Sequence, residues 1–131
     1  MRGVSSIAPS FPLYLHDGFD LQRFSDYVAD RNDFVVQDHH SYFVFTPEDQ
    51  SEPVAQHEGD VEGGIGASFA AASQRQRNNL VIDEWSCAIT DQSLSSAPDR
   101  NEAFRDFCTA QLETYTNTTA GWAFWGKQSV L

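Results

Sequence analysis

The feature that most constrains this chain is a rhythm. Short apolar runs alternate with helix-like stretches, and each run ends in polar or aromatic residues. Phe11 to Leu15 is apolar and is closed by His16-Asp17-Gly18. Asp20 is placed to cap a helix on which Leu21, Phe24, Tyr27 and Val28 fall at helical spacing. Phe34-Val35-Val36 resumes as strand and ends near Asp38-His39-His40-Ser41, and Tyr42 to Phe45 either extends it or begins a loop. Thr46 to Gly66, with Pro47, Pro53 and four glycines, predicts a long loop. Ala67 to Arg77 reads as helix, rich in Ala, Gln and Arg. Leu80-Val81-Ile82 is a third strand ending in Asp83-Glu84-Trp85, and Asp91 to Asp99 is loop. Asn101 to Tyr115 is helical, with Phe104, Phe107, Cys108, Leu112 and Tyr115 sharing a face. Gly121-Trp122-Ala123-Phe124-Trp125 is the fourth strand.

The resulting order β-α-β-α-β-α-β predicts an α/β fold of parallel strands joined by right-handed crossovers. Such folds gather their chemistry at the carboxyl ends of the strands. His16-Asp17, His40 to Tyr42, Glu84 and Trp125 all fall at such ends. The 131 residues suit a single domain. A formal net charge of −11 repels phosphate backbones and anionic membranes, which disfavours nucleic acid as a partner; a neutral substrate fits, as do many other ligands. No apolar run reaches the roughly 18 residues of a membrane span. Met1 to Ser10 has no apolar stretch of the kind that marks a signal peptide. Cys87 and Cys108 form no zinc motif, and their redox state stays open. Asn117-Thr118-Thr119 is a glycosylation sequon, relevant only in the secretory pathway.

Four strand-end motifs together resemble those of fungal exo-β-1,3-glucanases of glycoside hydrolase family 5. Ile82-Asp83-Glu84-Trp85-Ser86, followed by Ala88-Ile89-Thr90, resembles the strand-seven motif, in which the glutamate is the nucleophile. His39-His40-Ser41-Tyr42-Phe43-Val44-Phe45 resembles strand six, whose His-x-Tyr pair lines the cleaved sugar's subsite. His16-Asp17-Gly18-Phe19 resembles the end of strand five, and Gly121 to Trp125 resembles strand eight. The motifs occur in the family's order across nearly the whole chain. The resemblance implies the C-terminal half of a TIM (β/α)8 barrel, strands five to eight, as one partial domain over residues 1–131. It implies a retaining glucan 1,3-β-glucosidase with Glu84 as catalytic nucleophile and His40, Tyr42, Trp125, Phe45 and Phe19 around the sugar. It also implies a secreted or wall-associated setting.

The chemistry accounts for these residue types. A retaining glycosidase needs two carboxyl groups about 5–5.5 Å apart, one a nucleophile and one an acid/base, and needs no metal or organic cofactor. A phenol such as Tyr42 can hydrogen-bond the attacking carboxylate. His40 is placed for a sugar hydroxyl, and Trp125 offers a flat ring face. Other readings compete: Glu84 as a solvated strand-end carboxylate, Tyr42 and Trp125 as core aromatics, or Asp38, His39, His40, His16 and His57 as metal ligands without a zinc-motif spacing. Neither Ser86 nor Cys87 sits in a nucleophile elbow.

Departures from the family pattern sharpen the expectation. The Asn-Glu pair that carries the acid/base after strand four has no counterpart, since Asn101-Glu102 begins a helix. Asp83 stands where the family usually has Gly, and strand alternation predicts that it points away from Glu84. A whole barrel takes around 250 residues. Four strands alone would leave two edges open, to be met by a second copy or by a missing N-terminal half. The alternative from another class is a non-catalytic carbohydrate-binding or interaction protein built on the same fold.

Overall fold

A computed structural model describes residues 10–126. The expectation about a signal sequence therefore falls almost wholly outside the described residues. The chain forms a four-stranded, all-parallel sheet in the consecutive order β1 (Leu13–His16), β2 (Val35–Ser41), β3 (Leu80–Trp85) and β4 (Trp122–Phe124). Helices link the strands: α1 (Ser25–Ala29), α2 (Pro47–Ser51), α3 (Val54–Asp60), α4 (Gly66–Arg75) and α5 (Arg100–Thr118). A consecutive parallel order of this kind is compatible with part of a barrel.

The helices pack on one face of the sheet. Phe69 and Ala72 of α4 and Tyr115 of α5 meet Leu80, Ile82 and Trp85 of β3 in one core cluster. A second cluster joins Phe43, just past β2, to Val54, Val61, Leu94, Phe107 and Ala110. Burying each large side chain of this kind contributes about 1.5–3 kcal/mol. Cys87 and Cys108 are joined in a disulfide, Cα atoms 5.0 Å apart, tying the segment after β3 to α5.

Three sequence expectations change and one is resolved. The segment from Thr46 to Gly66 is helical, not a loop: α2, α3 and a π-helical turn over Val61–Ile65 run into α4. A capping box starts it, with Thr46 Oγ1 accepting from the Asp49 N–H at 3.0 Å and Asp49 Oδ2 from the Thr46 N–H at 3.1 Å. Pro47 sits where a missing N–H costs nothing. Of its four glycines one serves helix contact: a Cβ on Gly66 would meet the Val61 carbonyl at 3.0 Å and Thr114 Cγ2 at 3.1 Å. Second, α1 begins at Ser25, because Asp20 Oδ1 accepts from the Gln22 N–H and stabilises a turn over the residues assigned to the helix. Third, the strand-end expectation holds: β2 ends at Ser41, in the polar cluster, and Tyr42 to Phe45 begin the connection rather than extend the strand. Fourth, the buried face of α5 is Phe107, Ala110, Gln111 and Tyr115, with Phe104 and Leu112 on its flanks, about 40% exposed (40% and 39%).

Candidate active site

The site begins with an irregularity in β3. Along β2 the pairing passes from Asp38–Val81 to His40–Glu84, so three steps of β3 oppose two of β2. Along β4 it passes from Ile82–Trp122 to Trp85–Phe124, again three steps against two. One extra residue is thus accommodated in β3 between Ile82 and Trp85, a β-bulge. Strict alternation from Leu80 and Ile82 would send Glu84 into the helix layer and Trp85 outward. The bulge reverses this. Trp85 joins Leu80 and Ile82 in the core at 2% exposure, and Glu84 emerges on the opposite, open face. The alternation argument for Asp83 therefore does not hold in this segment, although Asp83 is exposed.

On that open face β2 is regular, and Asp38, His40 and the following Tyr42 stand two residues apart. Tyr42 Oη donates to Glu84 Oε1 at 2.7 Å. Partial burial, then the hydrogen bond and charge of Glu84, push the Tyr42 phenol well above its ordinary value, so it remains a donor. His40 Nδ1 lies 3.6 Å from the same Glu84 oxygen, and its Nε2 lies 3.3 Å from Asp38 Oδ2. His16 packs on His40 with ring centroids 4.2 Å apart.

Two phenylalanines flank this group. Gly18 and Phe19 both have positive φ, +67° and +65°, in the turn after β1. That conformation is costly for Phe19 and is held by its N–H donating to Asp17 Oδ1 at 2.9 Å. It sets the Phe19 ring 5.5 Å from His16 and 6.1 Å from His40. Phe45 lies 5.3 Å from Tyr42, edge to face. Trp125 stands apart: its N–H donates to the Trp85 carbonyl at 2.7 Å, and no hydrogen bond or ring contact joins it to Glu84, Tyr42 or His40 among the described residues.

The residues weighed as metal ligands are divided. His16, Asp38 and His40 share the open face, His39 turns to the helix face, and His57 is buried between Phe43 and Phe107. His57 is fixed there by Glu52 at 2.9 Å and the Asp49 carbonyl at 3.0 Å. Among the described residues no group of three or more His, Cys, Asp or Glu is arranged to hold a metal.

Two residues named from the sequence in other roles, Asp38 as a weighed metal ligand and Asp17 as a strand-end residue, act here as partners of histidines. Asp38 touches His40, and its period-two spacing with His40 and Tyr42 was the available signal. Asp17, fully buried, accepts from the Gln37 amide at 2.8 Å and pairs with His39 Nδ1 at 2.7 Å. Burial by itself would raise the Asp17 carboxyl, but His39, Gln37 and the Phe19 N–H together hold it below its ordinary value. No local sequence pattern announces a pair across two strands.

No helix among the described residues is long and apolar enough to cross a membrane. No protein-family model matches the chain. Over 123 residues, 92% of the chain, it is 34% identical to glucan 1,3-beta-glucosidase 3 of Schizosaccharomyces pombe. An alignment of 124 positions with glucan 1,3-beta-glucosidase 2 of Candida albicans, covering 70% of the chain, shows 23% identity. Each alignment takes in 25% of the relative's own length. The chain is thus similar, over most of its own residues, to about a quarter of proteins named as glucan 1,3-beta-glucosidases.

Proposed function

We propose that this chain carries the nucleophile side of a retaining β-glucan glycosidase site, on strands corresponding to five to eight of a (β/α)8 barrel. The observation that carries the reading is the Tyr42–Glu84 hydrogen bond at 2.7 Å beside His40, at the carboxyl ends of adjacent parallel strands. Holding Oε1 of Glu84 from Tyr42 leaves Oε2 to attack an anomeric carbon. In the whole reaction the Glu84 carboxylate forms a bond to that carbon while the glycosidic C–O bond breaks. A second carboxylic acid, to which we assign no residue, protonates the departing oxygen and later activates water. Phe19, Phe45 and Trp125 flank the sugar path, and His40 meets a sugar hydroxyl. The substrate is a neutral β-1,3-glucan. The names of the relatives favour that linkage, and the chain's net charge of −11 favours an uncharged ligand. The Cys87–Cys108 disulfide favours an oxidising, extracellular or wall setting.

The test is covalent trapping. A 2-deoxy-2-fluoro-β-glucoside with a dinitrophenyl leaving group departs as phenolate and needs little acid assistance. Intact mass should rise by one fluoroglucosyl group, and peptide mapping should put the adduct on Glu84. An unlabelled chain, alongside a labelled full-length glucosidase, would sink the catalytic reading.

A second reading is supported by a specific observation. Phe19, Phe45 and Trp125 are 62%, 69% and 67% exposed, and flat rings presented to water suit sugar binding without turnover. Glucan binding in an unlabelled chain would favour that carbohydrate-binding role.

A further inference from the structure

Asn117-Thr118-Thr119 is the sole Asn-x-Ser/Thr triplet of the chain, and no proline interrupts it. It closes α5. Asn117 is exposed on the last turn, and its side chain has no hydrogen-bond partner among the described residues. Tyr115, two residues earlier, is the last buried residue of the helix.

That last turn is weakly built. Of the six residues from Thr114 to Thr119, four are threonine, whose branched side chains lose freedom in a helix, and one is asparagine, also a poor helix former. Thr118 Oγ1 and Thr119 Oγ1 donate to the carbonyls of Thr114 and Tyr115 at 2.6 and 2.8 Å, competing with the backbone ladder. Thr119 is already extended, with φ −128° and ψ 170°. The triplet therefore reaches an extended form by losing one turn, while Phe107, Ala110 and Tyr115 stay packed.

Its place in the fold leaves room for a bulky group. The Ala120 N–H donates to the carbonyl of Leu80, the first residue of β3, at 2.8 Å. Asn117 thus lies toward the amino edge of the sheet. Glu84 is four residues further along β3, about 13 Å at roughly 3.3 Å per residue. The carboxyl edge would stay open. The Cys87–Cys108 disulfide supplies an independent observation: it requires an oxidising compartment, and the secretory lumen is one such compartment and the one in which asparagine glycosylation takes place.

We propose that Asn117 is an N-glycosylation site, taking an oligosaccharide from a lipid-linked pyrophosphate donor. Asn117 Nδ2 forms a bond to the anomeric carbon of the first sugar as the bond from that carbon to the pyrophosphate oxygen breaks. The lipid pyrophosphate leaves with the bonding pair, and one amide proton passes to it or to solvent. Thr119 provides the hydroxyl that the acceptor triplet requires. The proposal rests on the triplet, its exposure and the disulfide, and is independent of the glucan reading.

The full chain, behind a cleavable secretion leader, is translated in a cell-free system with microsomes, and only chains protected from added protease are scored. A heavier form should appear. Peptide N-glycosidase should return it to its original size and convert that one asparagine to aspartate, as read by peptide mass. Asn117→Gln keeps an exposed amide on the helix and should abolish the heavier form. Thr119→Ser keeps the hydroxyl and should retain it, whereas Thr119→Val should lose it. A protected wild-type chain of unchanged size overturns the proposal, as does a heavier form that persists in Asn117→Gln.

Discussion

β3 and β4 are neighbours in the same sheet, and both carry tryptophan, yet they meet water very differently. β3 has a strand on each side, and Leu80, Ile82 and Trp85 are almost excluded from solvent. β4 is three residues long with all three exposed, and Trp122 is 40% exposed although it packs against Trp85 at 5.6 Å. The difference teaches that burial here follows position in the sheet rather than side-chain type. β2 and β3 at the centre are held by packing and buried polar pairs, whereas β1 and β4 at the margins present rings and backbone to solvent.

The largest test removes the central ring. Trp85→Ala deletes the side chain that touches Tyr115, Trp122 and Phe124, and should cost about 3–5 kcal/mol in urea unfolding. Trp122→Ala, at the margin, should cost about 1 kcal/mol, because a half-exposed ring loses less transfer energy. Equal losses would break the contrast between centre and margin.

Next in size is the polar counterpart. Asp17→Asn weakens the bonds to His39, Gln37 and the Phe19 N–H and should cost about 1.5–3 kcal/mol near neutral pH. The Asp17 carboxyl sits below its ordinary value in the folded chain, so the unfolded chain binds its proton first as pH falls. Its contribution is complete above the unfolded value of about 3.9 and is lost as pH drops through the lower folded value. Unfolding curves from pH 6 to 3 should show the wild type approaching Asp17→Asn as acid is added. A gap that stays constant would mean that Asp17 is not held ionised.

These two tests also mark what the sequence could convey. The strand and helix alternation was legible because apolar runs and helical spacing are local properties. Glu84, His40 and Tyr42 were legible by resemblance, and the structure brings their side chains together. Trp125 was legible as a strand-end ring, but among the described residues no hydrogen bond or ring contact joins it to them. The helical nature of the segment from Thr46 to Gly66 was hidden because glycines and prolines resemble loop punctuation. There Pro47 starts a helix, Pro53 caps one, and Gly66 allows a close approach to Thr114. The bulge in β3 was hidden for a different reason: an inserted residue shows itself only through pairing with two neighbours. Without it, period-two reasoning places Glu84 on the wrong face.

A smaller effect separates stability from chemistry at the centre. Tyr42→Phe removes the hydrogen bond to Glu84 from a partly exposed pair and should cost about 1 kcal/mol. Trapping at Glu84 should slow by at least tenfold, since the carboxylate loses the partner that orients it. A rate within twofold of wild type would show that His40 and the backbone suffice to aim Glu84.

The smallest expected effect lies at the opposite margin. Leu13 in β1 is 42% exposed, and its N–H donates to the Phe34 carbonyl at 3.0 Å, a bond that depends on backbone alone. Leu13→Thr keeps a side chain suited to strands and removes apolar surface on the outermost strand of the described sheet. Its unfolding free energy should stay within about 0.5 kcal/mol of wild type. Light scattering at high protein concentration should fall, because edge strands with exposed apolar side chains recruit other chains. If stability instead dropped as far as in Trp85→Ala, β1 would be part of the centre, and the margin would have to be redrawn.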